Sequence, residues 1–365
     1  MYRILVINPG STSTKVAIFE DETKICEERI THSVEELMKY ERIMDQEPMR
    51  RAVVERFLEN HGYSMEDIDA IGARGGILEP VPSGTYKVDE YMVDYLLHHS
   101  PVEHVSNLAA VIGYKLGKPH NIPCFITDPV SVDEMCDEAR FSGLPDIERK
   151  SYSHALNIKA VARKVAKEMG KPYEKTKMVV VHLGSGISVT AHLNGKMIDV
   201  NNANDEGPFS VERTGELPVG DVVKTAYSGK YTARELKKRF VGKGGLVAYL
   251  GTNDLRRALE ESKNSEKVRL VVEAMAYQIA KEIGGMCAVL GSKPDAIIIT
   301  GGMAHSLEFV EMIRQYVRKF GSLRIVPGEF EMEALALGVL RVLKGEEKPK
   351  DYKEIVWRRK NAETR

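Results

Sequence analysis

The stretch Arg3-Ile4-Leu5-Val6-Ile7-Asn8-Pro9-Gly10-Ser11-Thr12-Ser13-Thr14-Lys15-Val16-Ala17-Ile18-Phe19 decides the fold. Two apolar runs rich in β-branched residues flank a short polar segment, which predicts strand, tight turn, strand. The turn carries one Asn, one Gly, four hydroxyls and one Lys. Backbone N–H groups, hydroxyls and a cation at one place are what a bound phosphate requires. A strand–loop–helix nucleotide loop is excluded, because it needs Gly directly before the Lys and Ser or Thr after it, whereas Lys15 lies between Thr14 and Val16. Taken alone, a turn of this kind is more often a polar hairpin without a ligand.

A second copy weighs against that rival. In Met178-Val179-Val180-Val181-His182-Leu183-Gly184-Ser185-Gly186-Ile187-Ser188-Val189, setting Gly184 over Gly10 places His182 over Asn8, Ser185 over Ser11 and Ser188 over Thr14. A repeat at half-chain distance predicts two similar domains, each presenting one glycine and hydroxyl turn to a cleft between them. A third glycine turn, Ile297-Ile298-Ile299-Thr300-Gly301-Gly302, reads as a buried strand entering a helix, where glycines let a ligand approach the backbone.

Three such turns complete the pattern of the actin-like ATPase and kinase superfamily. Along most of its length the chain resembles the acetate and butyrate kinase family, and the butyrate branch most. The resemblance rests on Asn8 to Lys15, Ala73-Arg74-Gly75-Gly76, Ser153-His154, His182 to Gly186, Thr252-Asn253-Asp254-Leu255-Arg256 and Thr300-Gly301-Gly302, in that order. It implies an α/β fold of two duplicated actin-like (ribonuclease H-like) domains with a cleft between them. The expected division is residues 1–150 plus 331–365 for the first domain and 151–330 for the second. The implied reaction is ATP-dependent phosphorylation of butyrate, or a related short- or branched-chain fatty acid, to an acyl phosphate, reversible with ADP. Mg2+ is the implied metal, and a homodimer or larger even-numbered homo-oligomer the implied assembly.

Bulk properties agree with a globular enzyme. The chain has 365 residues, 43% hydrophobic and 29% charged, with 52 Lys and Arg against 53 Asp and Glu. A net charge of -1 gives no reason to expect a nucleic-acid or anionic-membrane partner. Cys26, Cys124, Cys136 and Cys287 lie far apart, without metal-ligand spacing, as expected for reduced thiols of a cytoplasmic protein. No signal peptide or membrane-spanning apolar run is read.

In chain order, Ser33 to Gly62 carries apolar residues at helical spacing interrupted by Pro48, which predicts packing helices. Arg74 ends a short strand, where open α/β sheets place ligands, and the resemblance makes it the anchor of the acid. Asp128 follows the next strand, as the family's active-site aspartate or as a turn former. His154 opens a helix, where the dipole favours a neutral imidazole, and the family's matching histidine contacts the transferring phosphoryl group. Asn8, Ser11, Thr12, Ser13 and Lys15 are expected to form one phosphate cradle, and His182, Gly184, Ser185 and Gly186 the other. Asp254 and Arg256 are expected along ribose and adenine, with Gly301 and Gly302 beside the nucleotide.

Three further expectations are specific to this chain. Family members for acetate carry a second substrate arginine before the glycine and aspartate matching Gly220-Asp221; Leu217-Pro218-Val219 stand there instead, and Arg213 is the candidate replacement. Bulky residues of acetate kinases are replaced by Gly76 and Ser153, which predicts a pocket widened for a longer acid. Glu331 or Glu333 is expected to reach a magnesium-bound water. The charged tail after Gly345 is expected to be peripheral.

Two other classes remain open on the sequence: a sugar kinase of the same superfamily with Asp128 as base, and a non-enzymatic actin-like ATP-binding assembly protein. Because a phosphate cradle serves every acceptor, Ser11→Ala is expected to lower kcat by a similar factor across a series of carboxylic acids; a loss confined to one acid would contradict the assignment.

Overall fold

A computed structural model describes residues 1–363. The chain divides into two compact units, residues 1–132 with 330–363, and Asp133–Glu329. The segment 133–150, expected with the first domain, therefore belongs to the second unit. It carries β7 (Phe141–Leu144) and β8 (Ile147–Glu148), a small antiparallel pair, and the N–H of Cys136 bonds to the Ile198 carbonyl within the same unit. Residues 364 and 365 lie outside the described residues.

In the first unit β1 (Arg3–Gly10), β2 (Ser13–Glu20) and β3 (Thr23–Thr31) form an antiparallel meander, and β4 (Ala70–Ala73) and β6 (Cys124–Thr127) join beside β1 in parallel. With β5 (Thr85–Lys87) the sheet order is β3-β2-β1-β4-β6-β5. β1 is apolar on both sides and buried through Ile4–Ile7 because helices cover both faces. Ile71 lies against Gly113 of the helix Asn107–Gly117, while the next residue, Gly72, lies against Val339 of the helix Glu331–Leu343. Adjacent strand residues point to opposite faces, so the two helices sandwich the sheet.

The second unit repeats this plan. β9 (Lys177–Leu183), β10 (Ile187–Leu193) and β11 (Lys196–Val200) are antiparallel, with β12 (Ala296–Gly301) and β13 (Leu323–Pro327) added in parallel, in the order β11-β10-β9-β12-β13. Strand for strand this is the order β3-β2-β1-β4-β6 of the first unit. The helix Ala155–Glu168 packs on β9 and β12 as Glu331–Leu343 packs on β1 and β4.

Two readings need correction. Pro48 does not break a helix; it stands in the first turn of the helix Glu47–Asn60, where its missing N–H has no intrahelical partner to lose. Nor is the tail peripheral. Lys350 bonds through its backbone to Thr85 and Lys87, and Tyr352 and Val356 of the helix Tyr352–Glu363 are buried in the first unit's core.

The covering helix approaches β6 closely enough that a Cβ at Gly338 would run into the Thr127 side chain. Gly338→Val is therefore expected to destabilise the protein by about 1–3 kcal/mol through overpacking, read as a fall in Tm; an unchanged Tm would contradict this packing.

Candidate active site

The first turn spans two exposed residues, Ser11 and Thr12, between β1 and β2. Strand pairing sets Asn8 opposite Lys15 and Lys15 opposite Arg29, a row on one sheet face that also includes Ser13. Arg29 Nε donates to Ser13 Oγ at 3.1 Å. On the other side lies Arg50, fully buried in the helix Glu47–Asn60. Its Nη1 donates to the carbonyls of Gly10 and Ser13, both at 3.0 Å, and to Thr14 Oγ1 at 3.1 Å; its Nη2 donates to the Ser11 carbonyl at 3.1 Å. Gln46 Oε1 takes Nε at 3.0 Å. The His32 N–H takes the Thr12 carbonyl at 2.9 Å, so every carbonyl from Gly10 to Ser13 has a donor. Desolvation lowers the Arg50 pKa to about 10, which keeps the guanidinium charged at neutral pH.

Arg74 extends from the end of β4, its N–H bonded to the Ile7 carbonyl. Its guanidinium pairs with Glu331, the first residue of the covering helix, whose other oxygen accepts from Asn8 Nδ2 at 2.8 Å. The loop after Arg74 is fixed by the buried Asn107, which accepts the Ile77 N–H at 2.8 Å and donates to Ser100 and Val102. His104 stands nearby, its Nδ1 bonded to Ser106 Oγ; desolvation, and then repulsion from Arg74, lowers its pKa. Asp128 ends β6 with a left-handed φ of 40° and is 1% exposed. Its carboxylate accepts from Ser83 Oγ at 2.5 Å and from the Gly84 N–H at 2.8 Å.

In the second unit His154 is the residue before the helix Ala155–Glu168 but does not cap it. Its Nδ1 bonds to Ser188 Oγ at 2.9 Å and its ring stacks on His182, centroids 4.0 Å apart and 12° from parallel. Asn157 Nδ2, which only donates, bonds to His182 Nδ1 at 2.9 Å and Thr300 Oγ1 at 3.3 Å. His182 Nδ1 thus accepts, and the proton of the neutral ring sits on Nε2. A Cβ at Gly184 would stand 2.9 Å from that nitrogen, so glycine there leaves the imidazole edge uncovered by a side chain.

The second turn is supported differently from the first. Ser210 Oγ donates to the Ser185 carbonyl, and the Gly184 N–H bonds to the Gly186 carbonyl. Arg213 lies against Gly186, its Nη1 donating to Ala203 O and Asn204 Oδ1 while its buried Nε makes no hydrogen bond. Desolvation lowers its pKa. Within this unit, Arg213 belongs to the glycine turn.

A cavity of about 890 Å³ opens in the second unit. It is lined by Gly184 and Ser185 of the second turn, Asn253, Asp254 and Arg256 at the start of the helix Leu255–Ser262, and Gly302 and Met303 after β12. Three separately predicted stretches meet in one space. Asp254 also caps its helix and pairs with Arg256 at 3.0 Å, which lowers its pKa. Gly301 does not line the cavity; its φ of 90° and its approach to the Leu183 backbone explain the residue type.

The widened pocket is corrected. Gly76 is buried, has no left-handed φ, and a Cβ there would meet Asn107 Oδ1 at 2.6 Å and Leu96 Cδ2 at 2.7 Å. Ser153 is buried with its hydroxyl toward Met197 Sδ. Both sites are packed. Glu331, expected at a magnesium-bound water, holds Arg74 with one oxygen and Asn8 with the other, and no cluster of three or more His, Cys, Asp or Glu able to hold an ion occurs among the described residues.

Sequence reading missed Arg50, Arg29, His104, Asn157 and Ser210. For Arg50 a signal existed: with Val54 and Phe57 it follows the i, i+4, i+7 spacing of a buried helix face. Asn157 likewise shares a face with Val161. The others are joined to the site by loops and strand pairing that local periodicity does not report.

A sequence profile of the Acetokinase family matches residues 147–326. The chain is 73% identical over 356 residues to a protein of Thermotoga maritima named probable butyrate kinase 1, covering 98% of this chain and all of that one. It is 50% identical over 353 residues to the probable butyrate kinase 2 of Caldanaerobacter subterraneus, covering 96% of this chain and all of that one. Acetate kinase of Porphyromonas gingivalis has the same fold, with a TM-score of 0.78 at 19% identity over 94% of this chain and all of that one.

The packing around Gly76 sets an expectation opposite to that of a pocket wall. Gly76→Val should lower Tm, by overpacking worth about 1–3 kcal/mol, and leave the ratio of butyrate to acetate kcat/KM unchanged in folded protein; a shift toward acetate would restore Gly76 to the pocket.

Proposed function

Because the chain belongs to the acetokinase family, we propose that it transfers the γ-phosphoryl group of ATP to the carboxylate of a short-chain fatty acid, and the reverse. A carboxylate oxygen bonds to the γ-phosphorus while the bond to the ADP oxygen breaks, giving acyl phosphate and ADP. Butyrate, or a related short or branched acid, is the assigned acceptor on the strength of relatives named butyrate kinases. An even-numbered homo-oligomer and a cytoplasmic location complete the assignment by family resemblance.

A carboxylate is ionised at neutral pH and, unlike a sugar hydroxyl, needs no base to attack phosphorus. The observation that carries the reading is the contrast between two strand ends. β4 ends in a cation, Arg74, whereas Asp128, the base a sugar kinase would require, is buried and bonded to Ser83 and Gly84. A guanidinium has five donors, so Arg74 can bind a substrate carboxylate while Glu331 orients it.

His154, held by Ser188 and stacked on His182, is assigned to a phosphoryl oxygen. The hydroxyls of Ser11, Thr12 and Ser13 and the charge of Lys15 are assigned to phosphate from the first unit. Gly184, Ser185 and Gly186 are assigned to the nucleotide phosphates, with the adenosine in the cavity beside Asp254, Arg256 and Gly302. Mg2+ is assigned to the nucleotide phosphates, as part of the substrate. Catalysis then consists of alignment and charge neutralisation.

The test is trapping of acyl phosphate with hydroxylamine across acids and sugars. Butyrate should yield hydroxamate, and glucose should drive no ATP turnover; the reverse would overturn the proposal. Arg74→Ala should weaken acid saturation about 10- to 150-fold, the equivalent of a charge-assisted contact worth roughly 1.5–3 kcal/mol. His154→Ala should lower kcat more than it raises either KM. Near-normal kinetics in both variants would remove these residues from the site.

A further inference from the structure

We propose that Arg50 is a positioning residue for phosphoryl transfer: by drawing the carbonyls of the Gly10–Thr14 turn inward, it turns that segment into a rigid phosphate cradle. The inference rests on the assignment of the first turn to phosphate, and goes beyond it by naming what gives the turn its shape.

A turn between antiparallel strands has both donors and acceptors at its tip, and an anion is attracted by the first and repelled by the second. Arg50 settles the acceptors. Its guanidinium reaches Gly10 O, Ser11 O, Ser13 O and Thr14 Oγ1 from beneath the turn. Its own direction is set by Gln46, one helical turn earlier, and by complete burial. Two titratable groups face it from neighbouring elements, and desolvation, followed by repulsion from Arg50, lowers the pKa of the first, His32. His32 shares Thr14 Oγ1 at 2.8 Å, and Glu36 attracts the guanidinium electrostatically.

Among the described residues no carboxylate forms an ion pair or hydrogen bond with this guanidinium; its hydrogen bonds go to carbonyls, a hydroxyl and an amide. For a purely structural buried cation a carboxylate would be the ordinary partner. Here the acceptors are the backbone of the proposed cradle itself, so the positive charge lies directly behind the position assigned to a phosphate. Preorganised dipoles backed by a fixed charge are the arrangement that favours charge developing in a transition state. Arg50 has no exposed surface, so it acts through the turn and does not touch substrate.

The experiment compares Arg50→Ala, Arg50→Lys and Ser11→Ala in the full chain, with butyrate and ATP, at a temperature where circular dichroism shows each variant folded. Displacing a cradle costs on the order of 100-fold in rate. Arg50→Ala is expected to lose about that factor in kcat, equally for acetate, propionate and butyrate, with the KM for acid changed less than about threefold. Arg50→Lys, which keeps the charge but cannot span the acceptors, should recover only part of the loss.

A merely structural role would lower Tm and leave kcat of the folded protein unchanged. That result would overturn the proposal, and if Arg50→Ala does not fold, an unchanged kcat in Arg50→Lys would do the same. Should Ser11→Ala lose activity while the Arg50 variants do not, the cradle stands and Arg50 is not its organiser. Should none of the three lose activity, the phosphate assignment of the turn fails with it.

Discussion

A turn between antiparallel strands has to dispose of its own carbonyls, and the two units of this molecule meet that constraint in different ways. In the first unit the acceptors from Gly10 to Thr14 are taken by a buried guanidinium and by the N–H of His32. In the second, a neutral hydroxyl, Ser210, takes the Ser185 carbonyl, and the Gly184 N–H folds back on Gly186. Burying Arg50 is unfavourable by desolvation, which is why its pKa falls to about 10. Five hydrogen bonds offset that cost, and the charge remains at neutral pH.

The duplication explains how one architecture supplies two chemistries. In each unit the residue two positions before the first glycine of the turn meets the start of the helix that covers the sheet. Asn8 meets Glu331, and His182 meets His154 and Asn157. The backbone relation is the same; the groups are not. One unit builds an amide, carboxylate and guanidinium set around Arg74, the other a stacked imidazole pair held by a hydroxyl and an amide. Likewise β4 is followed by Arg74 where β12, ending in Gly301, is followed by Gly302, so one strand end offers charge and the other opens on the cavity.

How much of this was legible depends on the range over which each feature is encoded. Strand, turn and strand at residues 3–19, the copy at 178–193 and the third glycine turn are local patterns, and the structure has them as β1–β2, β9–β10 and β12. The gathering of Gly184, Asp254 and Gly302 around one cavity was anticipated by resemblance. Gly76 shows the limit: a glycine can mark a space or a close contact, and only the position of Asn107, thirty-one residues away, shows which it is. Glu331 shows another, since nothing local in the chain records that its carboxylate holds Arg74, an arginine distant in sequence.

The sequence by itself determined the duplicated α/β plan, the glycine and hydroxyl turns and the residue types at the strand ends, because periodicity and turn chemistry act over a few residues. Only the tertiary structure decided which partners those residues have. Arg50 is brought under the first turn by the packing of its helix on the sheet, and Ser188 and Asn157 reach the two histidines through strand pairing and helix docking. Hydrogen-bond partners of buried groups are set by the folding of distant segments onto one another, and no local pattern in the chain records that distance.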